Sequence, residues 1–199
     1  MRIFIVAAVS VAVSVNWVAP SPAQQPIRVG ASLSLSGTYA PFGPTQLHGY
    51  QLCIKDTNEK GGVLGRKLGL VVEDDQSQPA TAARIYEKLI TQDRVEAILG
   101  PYGSAIVEAV ADVAEKHRMP MVGATGATSS IFKKGRKFVF QVLSPAETYF
   151  DGLIDMAAKR GLKTLAVVYE DALFPRASAR GAMDLAKKKG LHVVLAEVY

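Results

Sequence analysis

Gly100-Pro101-Tyr102-Gly103-Ser104 decides how the rest of this sequence folds. Before it, Val95 to Leu99 is an apolar run with the length of a short buried strand. After it, Ile106, Val107, Val110, Val113 and Ala114 recur at helical spacing as far as His117. Met119-Pro120-Met121-Val122 then reads as a second short strand, running into Gly123-Ala124-Thr125-Gly126-Ala127-Thr128-Ser129-Ser130. Two strand ends therefore each feed a loop of small and hydroxylated residues. If the strands are parallel neighbours, both loops lie at one carboxyl edge of one sheet, where open α/β sheets bind ligands. The spacing places Ser104 at a helix N-terminus, where unpaired N–H groups and the helix dipole favour an anion. A hydroxyl beside backbone donors, with no base nearby, suits gripping a carboxylate rather than breaking a bond. Capping the helix is the plainer role for the same side chain, and one serine can do both.

Outward from this centre, strand and helix patterns alternate. On the N-terminal side, Ile27 to Leu35 is a strand, and Ser36 to Pro44 is a loop rich in turn formers. Leu47, Tyr50 and Ile54 mark a helix face stopped by Gly61-Gly62. Leu68 to Val72 is a strand ending in Glu73-Asp74-Asp75, and Pro79 opens a helix with Ala82, Ile85 and Leu89 as its buried stripe. On the C-terminal side, Ile131-Phe132 closes a short helical turn, Phe138 to Leu143 is a strand, and Ser144-Pro145 breaks it. Phe150, Leu153, Ile154 and Ala157 set a helix ending at Gly161, and Leu165 to Tyr169 reads as a strongly buried strand. The loop Glu170 to Pro175 leads to a helix through Lys189, and Val193 to Tyr199 is a last strand. Such alternation implies βαβ units, parallel sheets and helices on both faces, a doubly wound α/β fold.

The N-terminus reads as an address. Met1-Arg2 supplies a positive charge, Ile3 to Val15 an apolar core, and Ala19 to Ala23 a run of small residues and prolines. This is the pattern of a secretory signal peptide over residues 1–23, cleaved after Ala23 and directing the protein to the periplasm. The apolar core is short for a membrane span, which needs ~20 residues. Lysines and arginines number 23 against 18 acidic residues, a net charge of +5. The clusters Lys133-Lys134-Gly135-Arg136-Lys137 and Lys187-Lys188-Lys189 are expected as solvated faces, with no nucleic-acid partner. Cys53 is the only cysteine, which excludes an intrachain disulfide, and it is expected as a small core residue of its helix.

Catalytic patterns are missing. No GxxxxGK[ST], no GxGxxG after the first strand and no GxSxG occurs. Ser130-Ile131-Phe132-Lys133 fits SxxK, a pattern common by chance, without its companion motifs. His48, His117 and His192 lack metal-ligand spacing. Glu73-Asp74-Asp75 is expected as a solvated turn capping the next helix, ahead of any acid or metal role. These residues point to binding, with no catalytic residue, metal or cofactor.

The order Ser36-Gly37, Phe42-Gly43, Asn58-Glu59-Lys60-Gly61-Gly62-Val63-Leu64-Gly65-Arg66-Lys67, Glu73-Asp74-Asp75 and Gly100 to Ser104 resembles the periplasmic binding proteins for branched-chain amino acids. These receptors serve ABC importers and have the type I two-lobed fold. The resemblance implies lobe 1 over residues 24–144 and the start of lobe 2 over 145–199. It implies that Ser104 holds the ligand carboxylate, with Tyr102 in the same loop. The next loop would supply a threonine and a backbone carbonyl; it is one residue longer here, so Thr125 or Thr128 takes the first place and Gly126 the second. Phe42 would lie over the ligand and Phe174 would face it from lobe 2. Both are tyrosines in the leucine/isoleucine/valine receptor, so this site is less polar. Related receptors bind aromatic acids, amides or urea. The implied partners are a small carboxylate-bearing ligand and ABC transporter permease subunits. A sensor input domain of the same fold is the alternative, and it would need a transmembrane or signalling segment. Such receptors are considerably longer, so the resemblance further implies a fragment or truncated product with an incomplete second lobe and a weak half-site.

Overall fold

Residues 25–199 are described by a computed structural model; the expected signal peptide and its cleavage point lie outside the described residues. The first sheet is built from β1 (Ile27–Leu33), β2 (Leu68–Asp74), β3 (Ala97–Leu99), β4 (Met121–Gly123) and β5 (Val139–Gln141). Its order is β2-β1-β3-β4-β5 and every pairing is parallel. The chain steps from β1 to β2 on one side, then returns past β1 to β3. The switch in direction falls between β1 and β3, where an open sheet leaves a crevice at its carboxyl edge.

Helices α1 (Gly43–Glu59), α2 (Pro79–Thr91) and α3 (Ser104–His117) cover this sheet. Pro79 begins α2, where a missing N–H is harmless, and Ala82, Ile85, Tyr86 and Leu89 form one buried stripe. Those side chains pack with Ile98, Ile106, Val107, Val110 and Met121 into one core. Alternate residues of the same strands go elsewhere: Ala31, Leu33, Leu70, Val72 and Leu99 pack with Tyr50 and Leu47 of α1. The two-residue period of a strand thus feeds two faces, and both are covered.

Cys53 is exposed, contrary to expectation. It falls just outside the stripe of Leu47, Tyr50 and Ile54 that α1 turns to the sheet, and no described element covers the helix from outside.

A tight turn joins α1 to β2 at the amino edge of the sheet. Val63 and Arg66 form a β-bridge, Gly62 holds φ 83°, and Leu64 at the tip holds φ 50° and is 92% exposed. Arg66 is tied to Glu96 at 2.7 Å.

After the short helix α4 (Ser130–Lys133) and β5, the chain passes Ser144-Pro145 and a 3-10 turn at Ala146–Thr148. Helix α5 (Asp151–Lys159), β6 (Thr164–Tyr169), α6 (Leu173–Lys188) and β7 (His192–Val198) follow. Strands β6 and β7 pair in parallel as a separate two-stranded sheet. Ile154, Ala182, Ala186 and Leu191 form its small core. The expectation that Leu165 to Tyr169 is strongly buried is wrong. Strand β6 alternates between exposed and half-buried positions, because α5 and α6 leave part of it uncovered among the described residues.

Candidate functional site

The carboxyl edge of the first sheet gathers three loops. Gly103 is the N-cap of α3, with φ 81°, a conformation that glycine adopts without strain. Ser104 is the first residue inside the helix and is 3% exposed. It does not cap, since Gly103 holds the N-cap position. Its Oγ instead accepts the Thr128 N–H at 3.3 Å, joining the β3 and β4 loops. The hydroxyl proton and the first-turn N–H groups of a 14-residue helix remain as donors at this edge.

Helix α1 clamps the β3 loop. The Tyr50 hydroxyl donates to the Gly100 carbonyl at 2.7 Å, and Gln46 Nε2 donates to the same carbonyl at 3.0 Å and to the Tyr50 oxygen at 2.7 Å. Burial pushes the Tyr50 phenol up to about 12, so it stays a donor at physiological pH. Thr125 Oγ1 donates to the Pro101 carbonyl at 2.7 Å, which leaves its lone pairs free to accept.

Asp75 is fully buried, which overturns its expected place in a solvated capping turn. Its carboxylate accepts from Ser32 Oγ at 2.9 Å, Ser34 Oγ at 2.7 Å and the Ser77 N–H at 2.9 Å. Ser77 Oγ in turn accepts the Tyr39 N–H at 2.9 Å. The two serines of β1 and its following residue draw the acid inward. The result fixes the loop that carries Tyr39 and Phe42.

A cavity of about 290 Å³ opens between this edge and the carboxyl edge of the second sheet. Tyr39, Tyr102, Ser104 and Thr125 line one wall; Tyr149, Glu170, Leu173 and Phe174 line the other. Of the residues singled out from sequence, the structure therefore brings Tyr102, Ser104, Thr125 and Phe174 together. Phe42 reaches the cavity through Tyr102, against which it stacks at 4.9 Å and 4°. Thr128 and Gly126 lie behind Ser104 in the first wall. Thr128 is 2% exposed and its Oγ1 has no partner. A Cβ on Gly126 would meet Val107 at 2.7 Å, so glycine permits that close approach.

Sequence reasoning missed Tyr39, Tyr149 and Glu170. Tyr39 packs on Tyr102 at 5.4 Å, and Tyr149 meets Phe174 edge-on at 5.3 Å. Glu170 immediately follows β6, and the rule that ligands gather past carboxyl strand ends could have flagged it. Burial, then the nearby phenols of Tyr39 and Tyr149, raise the Tyr102 hydroxyl above its ordinary value, so it is neutral. Among the described residues, no three His, Cys, Asp or Glu side chains group as metal ligands.

The family model described as "Periplasmic binding protein" matches residues 26–199. The chain is 28% identical over 190 residues to the Leu/Ile/Val-binding protein homolog 7 of Brucella melitensis, covering 90% of this chain and 47% of that protein. It is 29% identical over 202 residues to homolog 8 of Brucella suis, covering 96% and 49%. Among solved structures it resembles a leucine-binding protein from Thermotoga maritima, at 25% identity and a TM-score of 0.77, over 86% of this chain and 48% of that one. It also resembles an ABC transporter solute-binding protein from Rhodopseudomonas palustris in complex with 3,4-dihydroxybenzoic acid, at 23% identity and a TM-score of 0.78, over 87% and 47%. The chain spans about half the length of the curated relatives it matches.

Proposed function

Because this chain belongs to the periplasmic binding protein family and has its type I fold, we propose that it is an extracytoplasmic solute receptor of an ABC importer. In this reading residues 24–144 form lobe 1 and residues from 145 onward begin lobe 2. The ligand is a small carboxylate-bearing solute held between them, and the ligand-loaded form is presented to permease subunits. The signal-like pattern over residues 1–23 supports export.

The observation that carries this reading is Ser104 at the first position of α3, lining a cleft between two carboxyl sheet edges. Its hydroxyl and the α3 N–H groups grip the carboxylate; Thr125 accepts from the ligand, and Tyr102 and Phe174 flank it. Phe42 backs Tyr102, while the Thr128 N–H holds Ser104 in place. Contacts from both walls are complete only when the lobes approach, so the ligand binds the closed state more tightly and shifts the population toward it. The family and fold are those of solute-binding proteins, and every role named here is a binding role.

The test is Ser104→Ala, read by calorimetric titration with L-leucine and benzoate together with a thermal melt. Affinity is expected to fall by roughly 1–3 kcal/mol, the range for a hydrogen bond to a charged group. An unchanged affinity with a lowered melting temperature would reduce Ser104 to a loop fastener.

A further inference from the structure

Strands β1 and β3 part before the neighbouring pairs do. The β1–β3 register ends at Gly30 opposite Ile98, whereas β1 stays paired with β2 as far as Leu33 and Asp74, and β3 with β4 as far as Leu99 and Val122. The Gly100 N–H turns to the Val122 carbonyl of β4 at 2.8 Å, which leaves Leu99 facing β1. One more parallel step would set the Ser32 N–H on the Leu99 carbonyl. A side chain stands there instead. The Ser32 N–H donates to the Tyr86 phenol oxygen at 3.1 Å, and the Tyr86 hydroxyl in turn donates to the Leu99 carbonyl. Two hydrogen bonds in series replace one, so the strands are held apart where the sheet changes direction. Tyr86 reaches this point from α2 and is 0% exposed. Burial, opposed by the Ser32 N–H, pushes its phenol well above the ordinary value, so it stays protonated and donates. Ser32 is also held through its side chain, whose Oγ donates to Asp75 at 2.9 Å.

The Tyr86 bond opens a series. Leu99, Gly100 and Pro101 are successive, and each carbonyl accepts from a different element: from Tyr86 of α2, from Tyr50 and Gln46 of α1, and from Thr125 of the β4 loop. Tyr86 belongs to the core on one face of the sheet and Tyr50 to the core on the other, so the end of β3 is gripped from both sides. The loop from Gly100 to Ser104 starts from this grip and has little length in which to absorb a change of direction. Tyr86 itself does not line the cleft. We propose that Tyr86 is a positioning residue of the binding loop: its hydroxyl keeps the β1–β3 crevice open and sets the direction in which β3 delivers the chain to Ser104. This rests on the receptor reading above and adds to it a residue outside the cleft. A tyrosine that merely filled the core would be exchanged for phenylalanine with no effect on the loop.

The experiment is NMR on the full chain and on Tyr86→Phe, followed by titration with L-leucine and benzoate. Scalar coupling across a hydrogen bond identifies its donor and acceptor directly. The unmodified chain should show no coupling between the Ser32 nitrogen and the Leu99 carbonyl carbon. Finding that coupling would overturn the proposal, and the measurement stands even if the variant does not fold. In Tyr86→Phe the amide resonances of Tyr102, Gly103 and Ser104 should move, with the direct Ser32–Leu99 coupling as the sign that the strands have closed. Unmoved resonances would overturn the proposal whatever happened to stability. Affinity for a probe that binds should fall roughly three- to tenfold, the span of one neutral hydrogen bond, and an unchanged affinity would also overturn it. Tyr50→Phe, which leaves Gln46 on the Gly100 carbonyl, should weaken binding less. Failure of both probes on the unmodified chain would overturn the receptor reading, and the Tyr102, Gly103 and Ser104 resonances would then decide whether the loop depends on Tyr86.

Discussion

Strands β1 and β6 begin their respective sheets, yet they end in different surroundings. Strand β1 reads Ile-Arg-Val-Gly-Ala-Ser-Leu and buries five consecutive residues. Strand β6 reads Thr-Leu-Ala-Val-Val-Tyr, is the more apolar of the two, and buries none of them fully. The difference lies in neighbours. Strand β1 has β2 and β3 at its edges and helices over both faces. Strand β6 has β7 at one edge among the described residues, with α5 and α6 beside it. Apolar sequence makes burial favourable, but covering elements determine how much is realised.

Paired truncations test this contrast with the largest expected effect. Leu33→Ala, at a fully buried position, should destabilise by about 2–5 kcal/mol in urea unfolding, transfer and cavity terms together. Val168→Ala, at a position 63% exposed, should stay within about 0.5 kcal/mol. Equal losses would mean that the second sheet is covered in solution and would dissolve the contrast.

A middle-sized effect is expected at the polar heart of the first sheet. Asp75→Asn keeps the shape but sets an amide N–H₂ against serine donors, and should cost about 1–3 kcal/mol. The second sheet has no counterpart among its described hydrogen bonds, so removing its buried Ser178 hydroxyl, which has no partner, should be neutral or slightly stabilising. Chemical denaturation of both variants checks the pair.

The smallest effect is electrostatic. A hydrogen bond from Lys116, helped by His117, holds the Glu87 carboxyl below its usual range and joins α2 to α3. A depressed folded value adds stability that is complete above the ordinary carboxylate range and is lost as pH falls through the lowered folded value. Glu87→Gln should therefore flatten the acid limb of the stability curve by less than about 1 kcal/mol, as suits a surface pair. The exposed Asp155–Lys189 pair between α5 and α6 has the same sign, and Asp155→Asn should move that limb less.

The α/β order was legible because each strand is a short apolar run bracketed by glycine, proline or polar turns, and each helix shows a clear stripe. Edges were less legible: β3 begins at Ala97 rather than Val95, since strand pairing requires partners as well as apolar side chains. The family motif located Ser104 and Phe174, whose positions follow from strand ends. Tyr39 and Tyr149 escaped notice because their approach to Tyr102 and Phe174 depends on loop packing that no local pattern encodes. Asp75 was misjudged for the same reason, since the serines that bury it lie 43 and 41 residues away. Between Thr125 and Thr128 the sequence was silent; in the structure Thr125 lines the cavity and Thr128 is 2% exposed outside its lining.

The turn at Gly61–Arg66 has a practical consequence. It projects Leu64 into solvent at the amino edge of a sheet whose ligand cleft lies at the carboxyl edge, with the length of β2 between them. A dye or fused reporter grafted there would ride on the first sheet as a passenger, blocking neither wall. Paired with a second reporter at the exposed Gly161 turn before β6, it would turn any relative movement of the two sheets into an optical signal, making this surface turn an anchor point for a biosensor.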